Sequence, residues 1–267
     1  MKKRIRSVLL VLLMLSIICI SSGLALAGDD SLERIKEKGK FIVGLDDNFP
    51  PMGFRDEKGD IVGFDIDLAK EAARKMGVEV EFKPVEWDGV IFSLKNGTID
   101  VIWNGLTITE ERAKQIAFTK PYLDNKQIIV VKKDSDINSK ADLAGKTVGL
   151  QLGSSSQSAL NSEPDVVESL KEVRTYPNNT EALMDLQIGR IDAVVVDEIV
   201  GRYYISKKPG VYRILGEDFG KESYGVGVRK EDTSFLAELN KILDEMKADG
   251  TAKEISEKWF GDDIVKR

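Results

Sequence analysis

Apolar positions along this chain follow two periods, one typical of strands and one typical of helices. Short apolar runs at residues 41–43 and 78–82 contain β-branched and aromatic side chains and predict strands. Between them, residues 65–76 repeat apolar positions with helical spacing, which predicts an amphipathic helix with Asp65 as N-cap and Gly77 as its stop. Strands that alternate with helices in this order indicate an α/β protein.

The rest of the chain continues this alternation. The same patterns predict a hairpin at residues 54–64, helices at 182–187, 233–249 and 252–259, and a buried strand at 191–196. The hairpin is expected to turn at Lys58 and Gly59, and Gly250 is expected to stop the long helix.

Two stretches of the sequence occur twice and in the same order. The letters VGLD at 43–46 return as VGLQ at 148–151, and LKNGTIDVIWN at 94–104 returns as LQIGRIDAVVVD at 186–197 with one residue of slack. Each longer copy predicts a helix end, a glycine suited to the C′ position and a buried strand that finishes in a polar residue. Either generic units resemble each other by chance, or the chain forms two α/β lobes with mainly parallel sheets. The shared order favours two lobes.

Polar side chains close the strands of both copies. They are Asp46, Asn104, Gln151 and Asp197. In open parallel sheets, ligands bind beyond the carboxyl ends of the strands. If the two lobes face each other, these side chains point into one cleft.

The segment from Asn104 to Arg112 closes one of these strands and opens a short helix. Thr107 or Thr109 is the candidate N-cap, and Arg112 follows close to the helix N-terminus. A guanidinium beside free backbone N–H groups and a threonine hydroxyl suits a small carboxylate, which accepts hydrogen bonds bidentately. The alternative is an ordinary capped surface helix with a solvated arginine.

A serine-rich turn follows Gln151 in the second half of the chain. Backbone N–H groups around Ser154 and Ser155 could bind the same carboxylate from the other side. The alternative is that these serines only form an N-cap and a turn.

The opposite charge of a ligand has its own candidates. Asp197 could bind an ammonium group together with the Thr107 hydroxyl and the Gly105 carbonyl, or it could cap the helix that follows it. Phe49 and Trp87 could enclose the ligand or cover a cation, or they could pack in the core. Together these residues would form a receptor for a zwitterion.

The first 27 residues are typical of a secretory signal peptide. A basic start, a short apolar run at 8–20 and the letters ALA at 25–27 predict cleavage after Ala27. Cys19, the only cysteine, lies inside this leader, so the mature chain is expected to have no thiol chemistry. Lipidation at Cys19 is the alternative, which the bulky preceding Ile18 disfavours.

Charge and composition narrow the classes of partner. Loss of the leader's basic residues takes the formal charge from −6 to about −10, without any basic block in the rest. This disfavours nucleic acid and anionic membranes as partners. The chain has no histidine, which removes the commonest general base and metal ligand. We therefore expect no metal or other cofactor.

With these residues assembled, the chain resembles the polar amino-acid-binding proteins of ABC importers, solute-binding protein family 3. The resemblance covers nearly all of residues 38–261. It rests on several motifs in the right order, namely GLD at 44–46, FPP at 49–51, GFDIDLA at 63–69, WDG at 87–89, GLTITEER at 105–112, KPY at 120–122, DLAGK at 142–146 and KWFG at 258–261.

This resemblance implies a two-lobe periplasmic-binding-protein fold with a discontinuous first lobe. Two hinge crossings are expected near 122–126 and 220–224. The expected divisions are a signal peptide at 1–27, lobe 1 at 28–124 and 222–267, and lobe 2 at 125–221.

The family pattern also assigns roles to the candidate residues. Arg112, Thr107 and the N–H of Ser155 would hold the α-carboxylate of an amino acid. Asp197 and Gly105 would hold its α-ammonium. The side-chain pocket would be lined by Asp46, Phe49, Trp87, Asn104 and Gln151.

Two departures bear on the ligand. Gln151 stands where a glutamine-binding relative has lysine, and Val196 stands where that relative has histidine. The resemblance therefore does not establish glutamine as the ligand. The pocket contains Asp46 and no cation apart from Arg112, which disfavours glutamate and aspartate as ligands because a second carboxylate would be buried unpaired. We rank basic amino acids slightly above glutamine and other polar neutral ones.

The resemblance further implies an exported monomer, periplasmic or attached to the cell surface, that delivers its amino acid to a membrane permease. A dehydratase-like enzyme on the same fold is one alternative, with Asp46 or Glu86 as its acid. The lack of histidine and of mature cysteine counts against that enzyme. A soluble ligand sensor is the other alternative.

Overall fold

The computed structural model describes residues 29–266, so the predicted signal peptide and its cleavage after Ala27 lie outside the described residues. The strands of the described range are β1 (Lys40–Leu45), β2 (Asn48–Phe49), β3 (Gly53–Arg55), β4 (Ile61–Val62), β5 (Glu79–Pro84), β6 (Val101–Ile102), β7 (Ala117–Phe118), β8 (Leu123–Lys132), β9 (Thr147–Gln151), β10 (Glu172–Tyr176), β11 (Ala193–Asp197), β12 (Tyr212–Tyr224) and β13 (Gly227–Val228).

Helices connect most of these strands. The α-helices of the described range are α1 (Ser31–Lys38), α2 (Phe64–Met76), α3 (Val90–Lys95), α4 (Glu110–Ala113), α5 (Ser155–Asn161), α6 (Pro164–Ser169), α7 (Asn179–Gln187), α8 (Glu198–Lys207), α9 (Thr233–Ala248) and α10 (Thr251–Phe260). Short 3-10 turns occur at Trp87–Gly89 and Ala141–Leu143. Within this range, no helix combines the length and apolar character needed to cross a membrane.

Two five-stranded sheets form the framework. The first has the order β5-β1-β6-β13-β7, and the second has the order β10-β9-β11-β8-β12. In each sheet a central strand, β1 or β9, pairs in parallel with both of its neighbours. β13 in the first sheet and β8 in the second pair antiparallel. The predicted α/β fold is therefore confirmed, with sheets that are mixed rather than purely parallel.

The sequence repeat corresponds to one packing arrangement used in both sheets. A Cβ added to Gly44 in β1 would lie 2.2 Å from Ile99 Cδ1, and one added to Gly149 in β9 would lie 2.5 Å from Ile191 Cδ1. In each copy, the isoleucine just before the neighbouring strand fills the space that the glycine leaves free. Close packing of this kind tolerates little extra volume.

An aspartate next to each isoleucine repeats as well. Asp100 Oδ2 accepts a hydrogen bond of 2.9 Å from the backbone N–H of Ile42, and Asp192 Oδ2 accepts one of 2.8 Å from that of Thr147. The aspartate N–H groups donate back to the carbonyls of the same two residues at 2.8 and 2.9 Å. The repeated letters thus join the neighbouring strand to the central strand in the same way in both sheets.

The predicted helix at 65–76 starts one residue earlier than expected. Gly63 occupies the N-cap position of α2 with φ 146°, and a Cβ there would lie 2.2 Å from the Met52 carbonyl oxygen. Asp65 as N-cap is therefore wrong, because its side chain is buried inside the first turn. Gly77 ends the helix in a left-handed conformation, as predicted.

β8 and β12 form an antiparallel ribbon at the expected crossings. Leu123 pairs with Tyr224, and Lys126 pairs with Lys221. The ribbon continues into the loops of the first sheet, where the N–H of Ile108 donates to the Ser223 carbonyl at 2.9 Å. The chain leaves the first sheet after β7 and returns to it at β13. The lobe boundaries at 124/125 and 221/222 stay predictions.

We expect Gly149→Ala to lower the free energy of unfolding by about 1–3 kcal/mol, because the added methyl collides with Ile191 inside a close-packed sheet. Gly216→Ala is the matched control, since a Cβ at Gly216 meets nothing within 4 Å. Urea unfolding of both variants measures the difference. Equal stabilities would contradict this account of the repeat.

Candidate functional site

Arg112 is buried between the two sheets rather than solvated. Thr109 is the N-cap of α4, and its Oγ1 accepts from the Arg112 N–H at 3.1 Å. The guanidinium donates to the carbonyl of Thr107 at 3.0 Å and to that of Gly153 at 3.2 Å. Its Cζ lies 5.8 Å from the centre of the Trp87 ring. The alternative of a solvated surface arginine is wrong.

No carboxylate forms an ion pair with Arg112 in the part of the chain that the structure describes. Burial lowers the pKa of Arg112, and the charges of Glu222 and Asp197 oppose that shift. A buried guanidinium that contacts only neutral carbonyls is costly in free energy unless an anion pairs with it. This end of the site is therefore a cationic pole.

Asp197 forms the opposite pole. It ends β11 and occupies the N-cap position of α8, but its side chain makes no capping hydrogen bond. Its Oδ1 instead accepts from Asn125 Nδ2 at 2.7 Å, from Gln127 Nε2 at 3.1 Å and from the Tyr224 hydroxyl at 2.7 Å. Burial, helped by the charge of Glu222, raises the pKa of Asp197 to about 8. No cation pairs with Asp197 among residues 29–266.

Hydroxyl groups link the two poles across the sheets. The Oγ1 of Thr107 and the Oγ of Ser155 are 2.9 Å apart, and Gln127 Nε2 donates to the same serine oxygen at 3.1 Å. Gln127 also donates to Asp197. Thr107 and Ser155, which sequence reasoning placed at the ligand, therefore lie between the cationic and the anionic pole.

Asp46 and Gln151 meet at a third point. Gln151 Nε2 donates to Asp46 Oδ2 at 2.7 Å, and Gln151 Oε1 accepts from Asn179 Nδ2 at 3.0 Å. Burial raises the pKa of Asp46 to about 6. Both residues come from predicted strand ends, one from each sheet, which supports the expected common cleft.

A cavity of about 470 Å³ opens beside Asp46. Trp87 forms part of its wall. Its lining includes the carboxylates of Asp46, Asp47, Glu86 and Glu181 and contains no lysine or arginine. The cavity therefore favours a cationic or hydrogen-bond-donating group.

Of the predicted site residues, Asp46 and Trp87 line this cavity. Three others support neighbouring residues of the site. Asn104 is buried, and its Oδ1 accepts from the Asp46 N–H at 3.1 Å. Ser154 is the N-cap of α5, and its hydroxyl donates to the Gln151 carbonyl at 2.7 Å. The ring of Phe49 packs against Gly105, where a Cβ would lie 2.7 Å from Phe49 Cε1.

Gly105 is held by a residue whose role the sequence did not reveal. Gly105 has φ 58°, and its N–H donates to Asp65 Oδ2 at 2.7 Å. The Tyr122 hydroxyl donates to the same oxygen at 2.9 Å. Burial raises the pKa of Asp65 to about 7. Asp65 therefore fixes the loop that leads from Gly105 towards Arg112.

Sequence reasoning missed a set of polar residues at the site. They are Asp65, Asn125, Gln127, Glu222 and Tyr224. Four of them lie on the ribbon of β8 and β12, where polar residues look like ordinary strand surface until the pairing is known. No group of residues within 29–266 has the makings of a metal site.

Comparison with known proteins places this geometry in context. The family described as bacterial extracellular solute-binding proteins, family 3, matches residues 41–262. The L-cystine-binding protein of Escherichia coli K12 is 35% identical over 263 residues, which are 98% of this chain and 97% of that protein.

Solved structures agree with this match. A substrate-binding protein of an ABC uptake transporter from Streptococcus pneumoniae, solved with bound histidine, has a TM-score of 0.85 and 36% identity, covering 90% of this chain and 100% of its own. An ancestral arginine-binding protein bound to arginine has a TM-score of 0.79 and 49% identity, covering 84% of this chain and 99% of its own. An ancestral arginine-binding protein has also been solved with bound glutamine.

The buried Asp65 predicts a pH-dependent stability. Its folded pKa lies near 7 and its ordinary value is 3.8, so the protonated form favours the folded state. The contribution of this carboxyl group to the free energy of unfolding is fully present below about pH 4. It is lost as the pH rises to 7, by up to ~1.4 kcal/mol per pH unit. Asp65→Asn should reduce the slope in urea unfolding between pH 4.5 and 7, and the part that Asp46 and Asp197 contribute should remain.

The matched control is Asp67→Asn on the same helix, where the carboxylate meets Lys258 at the surface. It should leave the slope between pH 4.5 and 7 unchanged. An identical pH slope in wild type and Asp65→Asn would contradict the assignment.

Proposed function

We propose that this chain, which belongs to the bacterial extracellular solute-binding proteins of family 3, binds a basic L-amino acid in its cleft, with glutamine and other polar neutral amino acids next in rank. The chain is the amino-acid-binding subunit of an ABC importer. The identity of the amino acid, the roles of single residues and the lobe boundaries are the parts that we propose.

The class of ligand is inferred from one observation. Arg112 and Asp197 are both buried, and neither has an ionic partner in the range that the structure describes. Opposite charges buried without partners at one site are stabilised together by a zwitterion. The α-carboxylate of an amino acid would pair with Arg112, and its α-ammonium would pair with Asp197.

The cavity beside Asp46 supports a basic side chain. Four carboxylates and no lysine or arginine line it. Asp46 is mostly buried, so a guanidinium or ammonium group there would gain a charge-assisted hydrogen bond. Gln151 offers an amide beside Asp46, which would also suit a glutamine side chain.

Residues on both sides of the cleft would close around the ligand. Thr107 and Asp46 precede the ribbon of β8 and β12, whereas their partners Ser155 and Gln151 follow its first strand. Bending of the ribbon would separate or join these pairs. A ligand shifts this balance only by its preference for the closed form. A membrane permease would then recognise the closed shape.

We further propose that the protein is not an enzyme. An acid on this fold would have to be Asp46 or Glu86, and Gln151 donates to Asp46 where substrate chemistry would need that carboxyl free. The poles of the site match an intact amino acid. Ligand released unchanged after binding is the expected behaviour.

Export agrees with the extracellular character of the family. The signal peptide at 1–27, the periplasmic or cell-surface location and the monomeric state remain proposals. No basic block in the sequence suggests nucleic acid as a partner.

A thermal-shift panel on residues 28–267, refolded from denaturant to remove carried-over ligand, tests the function. Ligand at about 100 times its dissociation constant should stabilise by roughly 2.7 kcal/mol, a rise in Tm of about 5–10 °C. We expect this rise with arginine or lysine and no rise in Arg112→Ala. That variant should lose about 2–5 kcal/mol of binding free energy because the carboxylate loses its partner.

Arg202→Ala is the matched control, because Arg202 is exposed on α8 and pairs with Glu198. It should keep full affinity. The panel should also contain cystine, sugars, small dicarboxylates and prephenate. A shift with a sugar or prephenate but no amino acid would refute the zwitterion site and revive the enzyme.

Asp46→Asn should change the preference among amino acids more than it changes binding as a class. Loss of the carboxylate should lower the affinity for arginine and lysine by roughly tenfold or more relative to the affinity for glutamine, because a charged hydrogen bond is worth about 1.5–3 kcal/mol. Titration calorimetry with the three amino acids measures the ratio. In the control Asp47→Asn the lost carboxylate is one that already pairs with Arg55 at 2.5 Å, so the ratio should hold.

A further inference from the structure

Three neighbouring strands bring two carboxylates to one face of the second sheet. β11 pairs with β8, so that Asp197 lies opposite Gln127, and β8 pairs with β12, so that Asn125 lies opposite Glu222. Residues two apart in a strand share a face, which places Tyr224 on this face as well. Strand pairing within a single sheet creates this cluster, so it does not require closure of the cleft.

The two carboxylates share the same hydrogen-bond donors. Asn125 Nδ2 lies 2.7 Å from Asp197 Oδ1 and 2.6 Å from Glu222 Oε1. Gln127 Nε2 lies 3.1 Å from the first oxygen and 2.8 Å from the second. The carboxyl of Glu222 is also within hydrogen-bonding reach of that of Asp197. Two carboxyl groups this close favour a state in which one of them is protonated.

We propose that Glu222 is a second carboxylate of the ammonium-binding pole, and that Asp197 and Glu222 hold one proton between them until the α-ammonium of the ligand displaces it. The proton leaves for solvent, and the N–H groups of the ammonium then donate to both carboxylates. This inference rests on the proposed amino-acid binding and adds a residue and a proton to it.

The surrounding charges fit this exchange. Arg112 acts on both carboxylates at a distance but donates to backbone carbonyls. The Tyr224 hydroxyl donates to Asp197, and burial holds its pKa well above the ordinary value, so it stays neutral. In the described range, no cation lies within ion-pair distance of either carboxylate. An ammonium group would be the first.

Glu222 also has an outlet to solvent. It lines a hinge-side cavity of about 730 Å³ together with Asn125. The charged groups that share this cavity are Asp124, Lys126, Glu198, Lys221 and Lys266. Of these, Lys126 meets Asp218 at 3.2 Å and Lys266 meets Asp124 at 2.6 Å, so their charges are already engaged. A proton displaced from the pair can leave by this route.

The proton has a defined signature in binding. Below the raised pKa of Asp197, near 8, each binding event should release close to one proton. Affinity should therefore rise by up to about tenfold per pH unit towards pH 8 and then level off. Asp46 titrates near pH 6, so measurements above pH 6.5 separate the two effects.

Titration calorimetry with L-arginine in phosphate and in Tris at pH 7 counts the protons released. We expect about one for the wild type and clearly less than one for Glu222→Gln, in which burial alone still raises the pKa of Asp197. The affinity at pH 8 should fall about tenfold in that variant. Glu217→Gln, an exposed position on the same strand, is the matched control and should behave as the wild type. Glu222→Asp keeps a carboxylate and should keep the proton release, which carries the test if Glu222→Gln folds poorly.

Unchanged proton release and affinity in Glu222→Gln would overturn the inference. Binding of arginine by the wild type without release of a proton would also overturn the inference, and the proposed amino-acid binding would still stand. A wild type that binds no amino acid would refute the proposed function, and this inference with it.

Discussion

The antiparallel pairing of β8 with β12 is the constraint on which the site depends. Through it the strands of the second sheet run on into the loops of the first, where the N–H of Ile108 donates to the Ser223 carbonyl. The same pairing sets which polar side chains share a face. A slip of one residue would turn Asn125 and Glu222 away from Asp197. One ribbon therefore both connects the two sheets and positions the polar groups of the anionic pole.

Burial of single charges is the second organising principle. Arg112 and Asp197 lie where charges are expensive, and neutral carbonyls, amides and hydroxyls hold them in place. Such groups orient a charge without neutralising it. The protein thereby keeps electrostatic free energy available for a partner of matching shape, and it gives up some stability of the fold to do so.

Local patterns were enough for the strand ends but not for the cluster on the ribbon. Asp46, Gln151 and Asp197 follow apolar runs, so their positions at the edges of the sheets could be predicted. Glu222 and Gln127 are far apart in sequence, and no local signal shows that they meet. Asp65 was misassigned as a cap because an aspartate before an amphipathic run usually is one. Gly63 took that position instead, since the tight approach to Met52 excludes any side chain there.

The acidic wall beside Asp46 has a kinetic consequence. A concave surface with one sign of charge concentrates field lines and draws in cations from solution before any specific contact forms. Capture of a basic solute would thus be fast in dilute medium and slower in brine, because salt screens this attraction over roughly 10 Å. How long the solute then stays depends on the buried poles. The cleft thereby separates how quickly it finds its cargo from how firmly it keeps it.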